Sequence, residues 1–523
     1  MLAQSSVYVW AIFGGIFYSL CFPQYDLVPL SLLFLPCVVQ SIDKATTVRQ
    51  VLLCALIHST LVACIGFHWL VYLGQNFGDL NLVESLGLLG LYCLASSPHM
   101  ILFYVLGFRW KTKLRALNPN LRPLVWAGLF TVLEFSARYL KVFPENLGNT
   151  LIAYLPLAQA AALGGVALLS LLPVWLGCSL WEIRLSGMRA KYSAIAALVV
   201  IVALFFWGQK EIRYWEQVPP KTVLRIGIVQ HNMEEVEKMV LATGAREALR
   251  KIVYELLDLT QELVKQNPKM DLVIWPETAY PIHFPGKDTP NQEIYTFGYA
   301  NLIKDKVREF GVPLLFGAYE NNGTKDFNTA FYLNKNGELL DAYRKYTLLF
   351  GGEYLPFTDE FPILKQINPQ MGGFGRGRGP YPLAYHDPAK QIQLGVNICY
   401  EEIIADYMRK LVLNGANVFI NITKDSWYGD TFEPWQHFQL SLFRAIEHRV
   451  PFIRVTNTGL SGQVFPTGKT QLLSKPFQRV TAVIDVPIPG QHSPTLYTQW
   501  GEWLVCLLAL YLAGIFVYLQ RKL

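Results

Sequence analysis

Long apolar stretches make up most of the first 210 positions, become intermittent from about 219 to 498, and close up again over 500–520. A helix needs about 20 apolar residues to cross a bilayer. The long stretches predict spans near 7–22, 25–40, 51–73, 82–107, 122–140, 151–182, 191–209 and 500–519. Phe22-Pro23 parts the first two, which read as separate spans rather than one re-entrant pair. No small-residue cleavage site follows the first stretch, which disfavours a signal peptide. The expected organisation is a seven-span bundle over 1–218, a water-facing domain over 219–498, and a last membrane helix over 499–523.

Within 219–498 the pattern switches between the strand period and the helix period. Strands are predicted at 223–230, 272–275, 313–319, 328–334, 339–344, 392–398, 418–422 and from 451 to 486. Helices are predicted at 245–267, 291–310, 401–414 and 433–449. Such alternation predicts an α/β domain whose sheet is covered by helices. Residues 350–390, rich in Gly and Pro, show no clear element.

Composition agrees with a membrane protein. The chain is 52% hydrophobic and 16% charged, against about 25% charged for soluble domains. A net charge of +6 without a concentrated basic face gives no reason to expect nucleic acid. Lys and Arg gather in alternate loops: Lys44 and Arg49; Arg109, Lys111, Lys113 and Arg115; Arg184, Arg189 and Lys191; then Arg521 and Lys522. By the positive-inside rule these loops and both termini are cytoplasmic, and 219–498 lies on the outer, periplasmic side of a bacterial inner membrane. Arg138 and Lys141 run against the pattern.

Seven of the eight cysteines fall in apolar stretches, and Cys399 alone lies in the water-facing domain. A single unpaired Cys in an exported domain marks a candidate reactive thiol. It follows a strand in Asn-Ile-Cys-Tyr-Glu-Glu (397–402). Glu277 follows another in Trp-Pro-Glu, and Lys345 ends a third in Asp-Ala-Tyr-Arg-Lys. Chemistry in open α/β sheets gathers at strand ends. A thiol needs a base to ionise it and a positive group to hold developing charge. Glu277 suits the first role and Lys345 the second, with the Tyr400 N–H as a further donor and the helix after Cys399 supplying favourable dipoles. Taken singly, each residue reads as structural: a packed thiol, a cap or ion-pair partner, a solvated charge; only their arrangement on three strand ends of one domain points to chemistry.

These motifs resemble the Glu-Lys-Cys triad of the nitrilase superfamily. The resemblance extends through Gly-Glu-Tyr-Leu-Pro (352–356), Asn-Ile-Thr-Lys-Asp-Ser-Trp-Tyr-Gly-Asp (421–430), Gln436-His437, 443–447 and 454–459. Together with the predicted spans and Leu133-Glu134-Phe135, the chain is similar to the membrane-anchored apolipoprotein N-acyltransferases. The resemblance implies an αββα sandwich over 219–498 and a ping-pong reaction without cofactor or metal. Cys399 would take an acyl chain from a phospholipid and pass it to the α-amine of a diacylglyceryl-cysteine apolipoprotein. Glu277 matches the family's base, Lys345 its oxyanion-side lysine, and Glu353, Tyr400 and Glu401 its supporting residues. A monomer is expected.

The pattern departs from the family at Phe350-Gly351, at Lys424 where Asn is usual, and in lacking a tryptophan in 233–240. Residues 350–380 are expected to form arms over the site, with Phe357, Phe361, Ile363, Leu364 and Met371 entering lipid and Arg376 and Arg378 holding phosphates. His58 and His68 are expected to pack within the bundle, and Glu134 to pair with Arg138. His437 and His448 offer no metal-ligand spacing. Two other functions fit the residues: a membrane-tethered amidase with water as second nucleophile, and a lipid-binding module with an inert site.

Overall fold

The computed structural model describes residues 2–137, 143, 145–233, 236–287, 289, 294–349, 352–354, 373–490 and 492–522. They fall into two compact units: Met1–Gln217 with Thr431–Glu447 and Pro494–Leu523, and Val218–Asp430 with His448–Ser493.

The first unit opens with α1 (Leu2–Leu20), α2 (Ser31–Lys44), α3 (Val48–Gly66), α4 (Trp69–Asn76), α5 (Leu82–Ser96) and α6 (Pro98–Arg115). It continues with α7 (Arg122–Ser136), α8 (Leu155–Ala158), α9 (Ala161–Ser186) and α10 (Lys191–Gln217). Local chemistry sets several ends. Thr47 and Gln50 form a capping box on α3, as Asn81 and Glu84 do on α5, each satisfying otherwise orphaned N–H groups. Pro98 opens α6, where its missing N–H costs nothing.

The stretch expected over 51–73 is divided at Phe67-His68, and the one over 82–107 bends by 50° between α5 and α6. Among the described residues, three stretches are long and apolar enough to cross a membrane. They are Val48–Gly66, Ala161–Gln217 with a 3-10 turn at Gly187–Ala190, and Trp503–Arg521; the bent pair α5–α6 passes together. His58 packs in the bundle core among the rings of Tyr18, Phe34 and Tyr104. His68, by contrast, is exposed at the break before α4, its ring nitrogen near the Ile65 carbonyl. Glu134 accepts from Leu147 N at 2.8 Å and Tyr18 OH at 3.3 Å. Arg138 and Lys141 lie outside the described residues.

The second unit holds two sheets. The first contains β1 (Pro220–Gln230), β2 (Leu272–Ile274), β3 (Tyr280–His283), β4 (Leu314–Asn321), β5 (Asp326–Leu333) and β6 (Leu339–Arg344). The second contains β7 (Leu383–Ala384), β8 (Gln393–Ile398), β9 (Val418–Thr423), β10 (Phe452–Thr456), β11 (Gly462–Val464) and β12 (Thr470–Leu472). β13 (Val480–Pro489) returns to pair antiparallel with β1, giving the first sheet the order β13-β1-β2-β4-β5-β6 with β3 on β4. β1, β2 and β4 are parallel, as are β8, β9 and β10. Gln230 joins the sheets, donating to the Gly459 carbonyl at 3.1 Å and accepting from Thr456 Oγ1 at 2.9 Å.

α11 (Val236–Thr243) precedes α12 (Ala245–Gln266), whose Leu249, Ile252, Val253, Leu256 and Leu263 recur at helical spacing. They form one core with Val273, Trp275 and Phe316 of the first sheet and with Ala300 and Ile303 of α13 (Ile294–Phe310). The burial of such a face, rather than helix propensity, holds the helix in place. α14 (Ala405–Leu413) buries Tyr407, Met408 and Leu411.

The helix expected over 433–449 forms as α15 (Glu433–His448), but most of it clusters with the first unit. Its Phe443 and Ile446 share a core with Val166, Leu169 and Leu172 of α9. α16 (Leu496–Trp500) and α17 (Trp503–Lys522) complete that unit. A Cβ on Gly165, at φ +64°, would stand 2.5 Å from the Tyr497 ring, so the kink in α9 needs glycine there.

Candidate active site

β2, β4 and β6 run in one direction, so Glu277, just past β2, and Lys345, just past β6, emerge at the same end of the first sheet. Cys399 leaves the end of β8 in the second sheet. Its backbone takes φ +52°, and Thr278 beside Glu277 takes +46°. This region disfavours residues with a Cβ and is held only where surroundings enforce it.

Lys345 and Glu277 are almost fully buried. Lys345 Nζ lies 2.8 Å from Glu353 Oε1 and 3.9 Å from Glu277 Oε1. Asn328 Nδ2 bridges the two carboxylates, donating to Glu277 Oε1 at 2.7 Å and Glu353 Oε1 at 3.2 Å. Glu277 Oε2 accepts from Lys424 N at 2.8 Å, and Glu353 Oε2 from Leu349 N at 2.8 Å. Each carboxylate is therefore fixed through both oxygens.

The electrostatics follow. Burial raises the Glu277 carboxyl above its ordinary range, Lys345 pulls it back, and Glu353 pushes it up again. A raised carboxyl is a better proton acceptor at neutral pH. Burial alone would lower Lys345, but Glu353, Cys399 and Glu277 outweigh it and hold the ammonium charged. A lysine held charged can donate to a developing oxyanion but cannot take a proton. Burial and Glu277 push the Cys399 thiol well up, against the pull of Lys345. The thiol therefore rests neutral, and a neutral thiol becomes a nucleophile only when a base takes its proton.

Glu401 braces the turn that carries Cys399. Its Oε1 accepts from Tyr346 N, Thr347 N and Tyr343 OH, each at 2.8 Å, and its Oε2 from Ile398 N at 2.8 Å. One buried side chain thus ties the segment after Lys345 to the residue before Cys399. Asn421 Nδ2 donates to the Cys399 carbonyl at 3.1 Å. Arg454 is buried and charged between Glu402 and Asp425, bonding each at 3.0 Å.

Residues 225–483 match the carbon-nitrogen hydrolase family, and residues 14–179 match the apolipoprotein N-acyltransferase N-terminal domain. An apolipoprotein N-acyltransferase of Bdellovibrio bacteriovorus is 30% identical over 517 residues, covering 96% of this chain and 92% of that one. The chain belongs to the apolipoprotein N-acyltransferase family. A second member, from Geobacter metallireducens, is 27% identical over 517 residues, covering 95% and 92%. One from Haemophilus influenzae is 27% identical over 534 residues, covering 98% and 96%. The protein is thus an acyltransferase of lipoprotein biosynthesis, with a nitrilase-like domain and an apolar helical part.

Within this family member, the structure brings Glu277, Lys345 and Glu353 together and places Glu401 as a brace. Tyr400 is half-buried beside Cys399, its phenol pushed up by burial. One expectation changes. No long helix starts at Cys399: a 3-10 turn, Cys399–Ile403, intervenes, and α14 begins at Ala405. Glu401 takes the Ile398 N–H and Ile404 is extended, so the chain turns before the α-helix starts. The dipole of α14 is therefore not aimed at the thiol.

The Lys424 departure leaves Glu277 untouched, because the contact is made by the backbone N–H. The Lys424 ammonium instead lies 5.1 Å from the Trp427 ring. Phe350-Gly351 and the arm residues Phe357, Phe361, Ile363, Leu364 and Met371 lie outside the described residues. The following glycine-rich segment is pinned rather than free. Gly375 N donates to the Asp326 carbonyl at 2.7 Å and Gly377 N to the Lys345 carbonyl at 2.9 Å, while Arg376 lies 4.8 Å from the Tyr354 ring. Sequence reading missed Asn328, Tyr343 and Asn421. The available signal was a polar residue within apolar strand runs, as in Phe-Asn-Thr-Ala-Phe (327–331).

Proposed function

We propose that Cys399 is the nucleophile, Glu277 the general base and Lys345 the oxyanion-side cation of a two-step acyl transfer, with Glu353, Tyr400 and Glu401 in support. Glu277 takes the thiol proton as Sγ attacks the ester carbonyl of a phospholipid. The C–O bond breaks, the departing lysophospholipid oxygen takes that proton, and a thioester remains on Cys399. The α-amine of a diacylglyceryl-cysteine apolipoprotein then attacks the thioester. Glu277 takes the amine proton, the C–S bond breaks, and the thiol is restored. Lys345 stabilises the tetrahedral oxyanion in both steps.

The observation that carries this reading is the buried Lys345 ammonium held between Glu353 and Glu277, with both oxygens of Glu277 fixed by donors. Such a carboxylate is positioned before the reaction begins, which lowers the barrier. We assign catalysis to 219–498, between a membrane bundle over 1–218 and a terminal helix over 499–523. Eight spans would place both termini in the cytoplasm and the catalytic segment on the periplasmic side. No cofactor is needed for these steps, and the chain is proposed to act as a monomer.

The test uses membranes containing the protein and acyl-labelled phospholipid. Hydroxylamine-sensitive label should appear on Cys399, vanish in Cys399→Ser, and fail to form in Glu277→Gln. Label persisting in Cys399→Ser would sink the assignment. Free fatty acid released without lipopeptide acylation would favour an amidase-like hydrolase.

A further inference from the structure

At one end of the first unit, the last turns of α2, α6 and α9 meet the start of α7 around a cavity of about 420 Å³. That volume lies in the range of small-molecule sites. Trp126 and Leu185 contribute apolar wall. The polar wall carries four cations, Lys44, Lys111, Arg115 and Arg122, and two carboxylates, Asp43 and Glu182.

Both carboxylates are already committed. Arg122 Nη1 lies 2.9 Å from Glu182, and Arg115 Nη2 lies 3.2 Å from Asp43. Lys111 Nζ donates to the carbonyls of Ile42 at 3.1 Å, Asp43 at 3.3 Å and Ala45, at the end of α2. Those carbonyls satisfy its donors without cancelling its charge. Lys44 meets Ser6 Oγ at 3.3 Å and lies 5.7 Å from the Trp10 ring. Four cations against two carboxylates leave two positive charges around the cavity. Beside an apolar wall of low dielectric, uncompensated charge draws an anion.

The apolar wall favours an amphiphile over a free ion. The bent pair α5–α6 is apolar enough to cross a membrane as one span, and α6 closes it with Lys111, Lys113 and Arg115 after its apolar run. Basic residues that close an apolar span belong at headgroup depth. Basic pockets between membrane helices suit acidic lipid headgroups. We propose that this cavity binds the phosphate headgroup of an anionic phospholipid, with Lys44 and Arg115 as donors and the Lys111 charge adding attraction. None of its lining residues belongs to the second unit, so the site is distinct from the triad and independent of the thioester mechanism.

The full chain, purified in neutral detergent, is titrated with phosphatidylglycerol, phosphatidylethanolamine or inorganic phosphate, and binding is read by native mass spectrometry. Phosphatidylglycerol should bind about tenfold or more tightly than phosphatidylethanolamine, and Lys44→Gln/Arg115→Gln should remove about tenfold of that affinity. The comparison of parent with variant isolates this cavity from lipid held at the catalytic site. Equal affinity for the two lipids, or a variant that binds phosphatidylglycerol as the parent does, overturns the proposal. Full displacement of the lipid by equimolar inorganic phosphate overturns the lipid assignment in favour of a free-anion site. Should the double variant fail to fold, Lys44→Gln alone, at an exposed position, should cost about threefold or more; no loss there overturns it as well.

Discussion

The Glu353 carboxylate lies 2.8 Å from the Lys345 ammonium, more than 1 Å closer than the Glu277 carboxylate at 3.9 Å. Glu353 is thus the ion-pair partner of the lysine. Glu277 stays near enough to feel its charge while both its oxygens are held by other donors. In the proposed reaction the lysine serves an oxyanion without tying up Glu277.

Removing that partner should be costly. Glu353→Gln leaves Lys345 buried with a weaker partner, and the rate of thioester formation should fall about 100-fold. The burst of hydroxylamine-sensitive label measures it. Glu353→Asp should recover part of the rate; a Gln variant with an unchanged burst would exclude this role.

Asn328→Asp replaces a donor to both carboxylates by a third carboxylate. The Glu277 carboxyl is already raised by burial, and a like charge beside it raises it further. A base works only when deprotonated, so the acid limb of the kcat/KM profile should move to higher pH by about one unit or more. A limb that stays in place would show that Glu277 is not the titrating base.

Burial lifts the Glu401 carboxyl from its ordinary 4.5 to about 7, against the pull of its hydrogen-bond donors. A carboxyl raised in the folded state binds its proton more tightly there than in the unfolded chain. Its stabilising contribution is full below about pH 4.5 and is lost as pH rises through about 7, a change of about 3 kcal/mol. Glu401→Gln cannot titrate. Its Tm should therefore fall less than the parent's between pH 5 and 8, although it should be lower throughout, because an amide nitrogen then faces backbone donors. Parallel Tm curves would contradict the assignment.

Gly317 on β4 is a test of positioning. A Cβ there would stand 2.5 Å from Thr278 N and 2.6 Å from Glu277 Cα. Gly317→Ala should push the Glu277 backbone away and lower kcat about 10- to 100-fold in a folded protein. Full activity would mean that the turn can move without consequence.

Much of this was legible in the chain. The apolar runs marked the bundle, the alternating periods gave the α/β unit, and a lone cysteine among strand ends marked the site. The triad motifs are short and local, so Glu277, Lys345 and Cys399 stand out in one dimension. Asn328 does not, because its importance lies in facing two carboxylates that are 51 and 25 residues away. The α15 helix was equally visible, but not its packing. An amphipathic period tells that a face is buried and not against what, and Phe443 and Ile446 share a core with α9, far away in the chain.

The sequence by itself determined which residues are candidates for the chemistry and which segments are apolar, because residue type and period are local properties. Only the tertiary structure decided how charge is shared at the site. It pairs Lys345 with Glu353, fixes Glu277 through the Asn328 side chain and the Lys424 backbone, and starts α14 past Cys399 rather than at it. Coulomb interactions and desolvation depend on distances of a few ångströms between groups far apart in the chain. Those distances are set by which strands pair and in what register.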